Sequence, residues 1–376
     1  MVYLDNSATT KPSKKAIEYI NNALCNVWGN PSSLHTLGFE AEMLMDKARK
    51  TVANSINGTP DEIVFTGSGT EANNTAIMAA LAKKSGGNKV ITTAIEHPSV
   101  LNTVNRLEDE GFTVIRLGID KSGKISLSEL EQALDSKTVL VSIMLVNNEI
   151  GTVQPVGEAV KIIRQIAPRA LIHCDAVQAY GKIPINVKTL GVDMLTASAH
   201  KIHGPKGIGF LYCKKGVAIR PFITGGGQEK GRRSGTESLS LIAGFMGAVE
   251  ELPDIRKQYA KMQEITDYAK DLFKKSDVVE INSPSDAIPY ILNISVPGYR
   301  SETLLHFLEN KEIYVSSGSA CAKGEQSYVL SALGLSKARS DSALRLSFSR
   351  DTSKEDIARC LDGLVEAASR LTRAKI

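Results

Sequence analysis

Cysteine is scarce in this chain of 376 residues, and the few present are badly placed for structural work. Cys25, Cys174, Cys213, Cys321 and Cys360 are odd in number and nowhere spaced Cys-x-x-Cys. That pattern argues against a disulfide framework and against a structural zinc site. Long apolar runs are missing as well. None nears the ~20 residues that a membrane helix needs. Residues 1–10 lack the basic-then-apolar order of a secretion signal. The expectation is a cytoplasmic protein with no membrane contact. Nor does one sign of charge dominate. Lys plus Arg number 45 against 41 Asp plus Glu, a formal net charge of +4. So even a balance gives no reason to expect direct nucleic-acid binding. There is no internal repeat and no low-complexity tract.

What is present is an ordinary globular composition, 42% hydrophobic and 23% charged, over a length that suits about two domains. Apolar residues at helical spacing predict a helix over 34–56. Strands are predicted at 63–66, 89–94, 112–117, 139–146 and 170–174. Helices are predicted between them at 70–83, 99–109, 126–134 and 158–166. Strand–helix alternation of this length implies an α/β fold with a mostly parallel sheet flanked by helices. Two further helices, 239–252 and 255–273, meet at Pro253, which suits a first helical turn and not an interior. The domain boundary is placed there. Residues 13–252 form the large domain, and 253–376 form a smaller α+β domain joined by the N-terminal segment 1–12. In the small domain, strands are expected at 290–296, 313–316 and 344–348. A capping box at Thr352-Ser-Lys-Glu355 opens the last helix.

The stretch Leu195–Tyr212 carries the most chemistry. An apolar strand delivers Ser198, His200 and Lys201 together, and a glycine-rich turn follows before a second strand at 208–212. A lysine in such a place is costly to bury unpaired. Held dry, it can lose its proton and become a nucleophile or Schiff-base former. A surface lysine on a turn is the other reading. Open sheets of this class bind ligands beyond the carboxyl ends of their strands, and several polar motifs fall there. Thr66-Gly-Ser-Gly-Thr-Glu71, with Gly69 and Thr70, is either a phosphate cradle at a helix N-terminus or a plain capped turn. Asp175 ends a strand with Gln178 three residues on. It is either the partner of a cationic group or a helix cap. It precedes Lys201 by 26 residues, room for one crossover between neighbouring strands. His97 could lie on a planar cofactor and shuttle protons, or be merely solvated. Asn148 sits in a polar turn after the most apolar strand. Residues 225–236, ending in Thr236, form a basic glycine-rich loop. Arg345 alternates with apolar neighbours, which fits a carboxylate clamp or a surface ion pair. Cys321 lies in the small, polar loop Ser316-Ser-Gly-Ser-Ala-Cys321, near Lys323. That setting suits a mobile nucleophile better than a core residue.

Taken together, these motifs resemble the cysteine desulfurases of the NifS/IscS type, within the class V aminotransferases of the aspartate aminotransferase fold. The carriers are Leu4–Thr10, Gly29-Asn-Pro-Ser32, the Thr66–Glu71 turn, Glu96-His97, Val146–Gly151, His173–Gln178, Ser198–Gly209, Arg233–Thr236 and Ser316–Cys321. The resemblance runs nearly end to end and implies roles. Lys201 would hold pyridoxal 5'-phosphate covalently. Asp175 would pair with its ring nitrogen, Gln178 would contact the ring hydroxyl, and His97 would stack on the ring and help move protons. Gly69, Thr70, Ser198 and His200 would bind the phosphate, joined by Thr236 from the second subunit of a homodimer. Asn148 and Arg345 would hold the carboxylate of L-cysteine. Cys321 would take the sulfur as a persulfide, leaving alanine, for a sulfur-acceptor protein such as an iron–sulfur scaffold or a thiolation enzyme. No metal is implied. Ala199 stands where relatives carry Gly or Ser, His203 where they carry Tyr, and the loop after Cys321 is about two residues short. A selenocysteine lyase, another class V aminotransferase and a non-catalytic scaffold are the competing readings. The thiol in its loop speaks against transamination, and intact Lys201, Asp175 and His97 speak against a scaffold.

Overall fold

The computed structural model describes residues 1–317 and 327–373. Its strands, in chain order, are β1 (Val2–Tyr3), β2 (Ile63–Thr66), β3 (Lys89–Thr93), β4 (Thr113–Leu117), β5 (Thr138–Ser142), β6 (Leu171–Asp175), β7 (Met194–Ser198), β8 (Gly209–Cys213), β9 (Glu280–Ile281), β10 (Ile291–Ser295), β11 (Ile313–Tyr314), β12 (Ser316–Ser317) and β13 (Ala343–Ser347). Seven of them form one sheet in the order β2-β8-β7-β6-β5-β3-β4. From β4 to β7 every pairing is parallel, and β8 runs antiparallel to both β7 and β2. The mostly parallel sheet is therefore as expected, and Asp175 and Lys201 do follow neighbouring strands.

Period two explains how this sheet serves two cores. Phe65, Ile91, Val141, Ile172, Leu195 and Phe210 enter one apolar cluster. Their chain neighbours Val64, Val90, Leu140, Leu171, Met194 and Leu211 enter the other. Strands buried on both faces are read as continuous apolar runs, which is why they were legible. A second, antiparallel sheet has the order β12-β13-β10-β9, and β1 pairs with β11 in parallel. Beyond β1, Ser7 N–H donates to Ser347 Oγ at 2.8 Å, so the N-terminal segment leads from the small sheet toward Lys201.

Several boundaries differ from expectation, each for a local reason. The long helix is Thr36–Ser55, capped by the His35 ring, and Leu34 is left outside it and fully exposed. The helix begun at Gly69 ends at Met78 and tightens into a 3-10 stretch, Ala79–Gly86. Strand β5 stops at Ser142 and not at residue 146: the Met144 N–H donates to the Glu96 carboxyl at 2.7 Å and not to β3, while the Ile143 and Leu145 N–H groups still reach His173 O and Asp175 O on the β6 side. The single strand expected at 313–316 is two, β11 and β12, in different sheets. The last helix is boxed by Ser353 and Asp356, one residue later than expected. Helix Lys14–Cys25 was missed.

One buried ion pair staples the basic loop to this scaffold. Arg49 grips Glu229 in two hydrogen bonds, 2.7 and 2.8 Å, and also donates to Ile63 O at the start of β2. Removing one partner of a buried pair leaves a charge without compensation. Glu229→Ala should therefore lower stability by about 3 kcal/mol, read as an earlier midpoint in chemical denaturation. An unchanged midpoint would show the pair to be dispensable.

Candidate active site

Three backbone segments meet at the carboxyl ends of β6 and β7. Asp175 closes β6, Ser198 closes β7, and Gly69 starts a helix after β2. Gly69 is glycine because a Cβ there would stand 3.0 Å from Val177 Cγ2 and 3.5 Å from Ser198 Cβ. Ser198 is buried and Thr70 exposed beside them, at the first-turn N–H groups that no helical carbonyl can satisfy. The Glu71 carboxylate accepts the Gly67 N–H at 2.8 Å and pairs with Arg233 at 2.9 Å, so the basic loop is drawn to this corner. Thr236, three residues beyond Arg233, is exposed.

Lys201 follows β7 in a short 3-10 turn. Its Nζ donates to the carbonyls of Ser7 and Ala8 at 2.6 and 2.7 Å. Gln178 is held by the same segment, with Nε2 on Ser7 O at 3.0 Å and Oε1 accepting from Lys182 Nζ at 2.9 Å. His200 Nδ1 lies 3.3 Å from Thr9 Oγ1. Burial first, then the neighbouring charges of Lys201, Lys206 and Lys182, push His200 down to about 4. It is neutral at ordinary pH.

Asp175 is 5% exposed. It accepts the Val177 N–H at 2.9 Å and the Asn73 side-chain amide at 2.7 Å. Among the described residues no cationic side chain forms an ion pair with it, which a buried carboxylate ordinarily requires. Asn73 in turn touches Ser99, and Ser99 touches His97. Sequence reasoning missed both links. Asn73 had one usable signal, a polar residue among the buried helix positions Ala72, Ala76 and Ile77. His97 is exposed, yet surrounding protein lowers its pKa below the usual histidine value. Burial is the main cause, Asp175 opposes it and Lys201 adds to it.

The expected carboxylate clamp is only partly ready. Arg345 is buried and not on a surface, and its Nη2 already holds Asp5 Oδ1 at 3.0 Å. Its Nη1 donates to the backbone oxygen of Asn148 at 3.1 Å. The Arg345 Nε and the Asn148 Oδ1 are buried without a partner among the described residues. Cys321 lies outside the described residues. Two acids escaped the sequence reading. Glu96 is fully buried, and burial pushes it up to about 8, with Asp175 adding to the rise. Glu149 rises to about 7 through burial, against the pull of Ser327 and Arg345. Ser327 Oγ donates to Glu149 Oε2 at 2.5 Å.

The model of the family described as "Aminotransferase class-V" matches residues 2–360. The chain belongs to this family. A protein named cysteine desulfurase from Nostoc sp. is 42% identical over 376 residues, covering 99% of this chain and 94% of its own length. A solved NifS-like protein superposes with a TM-score of 0.93 at 37% identity, covering 98% of this chain and all of its own. Another, titled SspA in complex with cysteine, gives 0.82 at 33% identity over 93% of this chain and 99% of its own. Within the class V aminotransferases, then, this chain is of the cysteine desulfurase kind, an enzyme group that depends on pyridoxal 5'-phosphate. The residues fit that cofactor. Among the described residues the buried Asp175 carboxylate has no cationic partner, which a pyridinium would supply, and Gly69 leaves the close approach that a phosphate needs. No helix among the described residues is long and apolar enough to cross a membrane.

Glu96 generates a pH prediction. Its folded pKa, about 8, stands above the ordinary carboxyl value. The unfolded chain therefore ionises first, and stability is lost as pH rises through the interval between the two values. Without added cofactor, Glu96→Gln should gain stability relative to the parent as pH climbs from about 4.5 to 8, and the difference should level off above. Denaturation midpoints over this range measure it, and a constant difference would refute the buried acid.

Proposed function

We propose that this chain converts L-cysteine to alanine and carries the released sulfur as a persulfide on Cys321. The observation that supports the reading best is the buried Asp175, which no cation among the described residues pairs with, at the end of β6, with Lys201 in the turn that follows the parallel neighbour β7. Bound pyridoxal 5'-phosphate supplies an electron sink that lets bonds to the substrate α-carbon and its neighbour break. Lys201 would hold the cofactor, and its contacts with Ser7 and Ala8 keep the amine in the cleft meanwhile. Asp175 would hold the ring nitrogen, Gln178 the ring hydroxyl, and His97 one ring face. Gly69, Thr70, Ser198 and His200 would take the phosphate. Arg345 and Asn148 would orient the substrate carboxylate: the buried Arg345 Nε–H, without a partner among the described residues, is a donor for it, and Asn148 would have to turn its side-chain NH2 toward it. The Cys321 thiolate would attack the substrate sulfur. A sulfur–sulfur bond forms, the substrate carbon–sulfur bond breaks, and that carbon gains a proton, so the products are alanine and a persulfide. The same reading keeps 13–252 as the cofactor-binding domain and 253–376, with 1–12, as the small one. It places the protein in the cytoplasm beside a sulfur-acceptor protein.

Cys321→Ser tests this. Serine changes one atom, but its hydroxyl is far less ionised than a thiol of pKa about 8.5. The variant should bind the cofactor and change its visible spectrum on adding L-cysteine, yet release almost no alanine or sulfide. Alanine production at the parent rate would remove Cys321 from the reaction.

We further propose a homodimer with active sites at its interface. Support comes from the large apolar side chains Trp28, Leu34, Phe39 and Met43, exposed near the chain's first two helices at 67%, 105%, 59% and 55%, which a second subunit would cover. Thr236, exposed in its own subunit, would then reach the phosphate of the other. Sedimentation should show a dimer at assay concentration, and a fully active monomer would overturn the proposal.

A further inference from the structure

Neither Asn73 nor Ser99 has a role in the reading above, yet both are buried between Asp175 and His97, at 1% and 8% exposure. The Asn73 side-chain nitrogen donates to Asp175 Oδ2 at 2.7 Å and to Ser99 Oγ at 2.8 Å. Ser99 Oγ lies 2.8 Å from His97 Nδ1, and the Ser99 backbone N–H donates to the same nitrogen at 3.1 Å.

The directions of these bonds follow from the first of them. A carboxylate only accepts, so Asn73 must turn its NH2 toward Asp175. The flipped amide would set oxygen against oxygen. The second hydrogen of that NH2 points to Ser99 Oγ, which therefore accepts. The Ser99 hydroxyl hydrogen is left for His97. His97 Nδ1 thus receives two donors, one from the backbone and one from the hydroxyl, and has no room for a proton of its own. A neutral imidazole without a proton on Nδ1 carries it on Nε2. The Nε2 has no hydrogen-bond partner among the described residues, and His97 is exposed.

We propose that Asn73 and Ser99 are positioning residues that connect Asp175 to His97 and hold the histidine as its Nε2–H form. His97 then meets a bound ligand as a hydrogen-bond donor and not as a base. Taking a proton would mean breaking both bonds to Nδ1. The low pKa of His97, caused chiefly by burial, agrees with this. The charged groups acting on the ring are Asp175, which favours its protonation, and Lys201, which opposes it. The inference rests on the desulfurase reading only for what the ligand is, because the bonds themselves lie within the chain.

The experiment is histidine-specific nitrogen NMR on the full chain without cofactor. The His97 signals are those lost in His97→Gln. In the parent protein, Nδ1 should be pyridine-like and Nε2 pyrrole-like. In Ser99→Ala the His97 titration midpoint should rise by about one pH unit, as a hydrogen bond to the neutral ring is lost. The two nitrogen shifts should also move toward each other. Asn73→Ala should do the same more weakly, and Ser99→Thr, which keeps the hydroxyl, should restore the parent values. An Nδ1–H tautomer in the parent protein would overturn the proposal. So would a midpoint and tautomer unchanged in both Ser99→Ala and Asn73→Ala. Alanine production by the loaded parent enzyme is measured alongside. If that fails while the tautomer is as stated, the desulfurase reading falls and the network stands.

Discussion

A buried carboxylate that no cation among the described residues pairs with is the constraint around which this structure is arranged. Asp175 is held by one backbone N–H and one amide, which satisfy its oxygens but not its charge. A group of opposite charge at the end of β6 would compensate it. The neighbouring strand ends supply the frame for it. Lys201 arrives from β7, and the helix start at Gly69 closes the third side. Because β6 and β7 are parallel neighbours, Asp175 at the end of β6 and the turn that carries Lys201 after β7 leave the sheet side by side.

The N-terminal segment has a larger part than its length suggests. It pairs with the small sheet through β1 and then offers the carbonyls of Ser7 and Ala8 to Lys201 and that of Ser7 to Gln178. Asp5, from the same segment, holds Arg345. A few residues thus tie the small sheet to the cofactor side, and a change in how they pack would alter the lysine, the glutamine and the arginine together. Histidine chemistry is constrained in a similar indirect way. His97, His173 and His200 are all depressed by burial.

Most of the central sheet was legible in the sequence because strands buried on both faces leave uninterrupted apolar runs, and glycine-rich turns punctuate them. The edges were less so. The end of β5 depended on Glu96, some fifty residues away, taking the Met144 N–H, and no local pattern contains that. The split of residues 313–317 into two sheets depended on β1 and β13 as partners. Lys201, Asp175, Gln178 and His97 were found from motif and position, whereas Asn73, Ser99, Glu96 and Glu149 were not. Asn73, Glu96 and Glu149 each act through at least one partner distant in sequence, Ser99 joins Asn73 to its near neighbour His97, and a polar residue inside a helix or beside a histidine has no periodicity to betray it.

The sequence by itself therefore determined the class of fold, the family and the residue types able to do the chemistry, since these rest on local patterning and on motifs in order. Tertiary structure decided the states of those residues. Arg345 already holding an aspartate, a glutamate kept neutral by burial, and a hydrogen-bond chain from Asp175 to His97 all arise from contacts between segments that only folding brings together. Burial and long-range hydrogen bonding set charge and proton position, and neither is a property of a residue until its neighbours are in place.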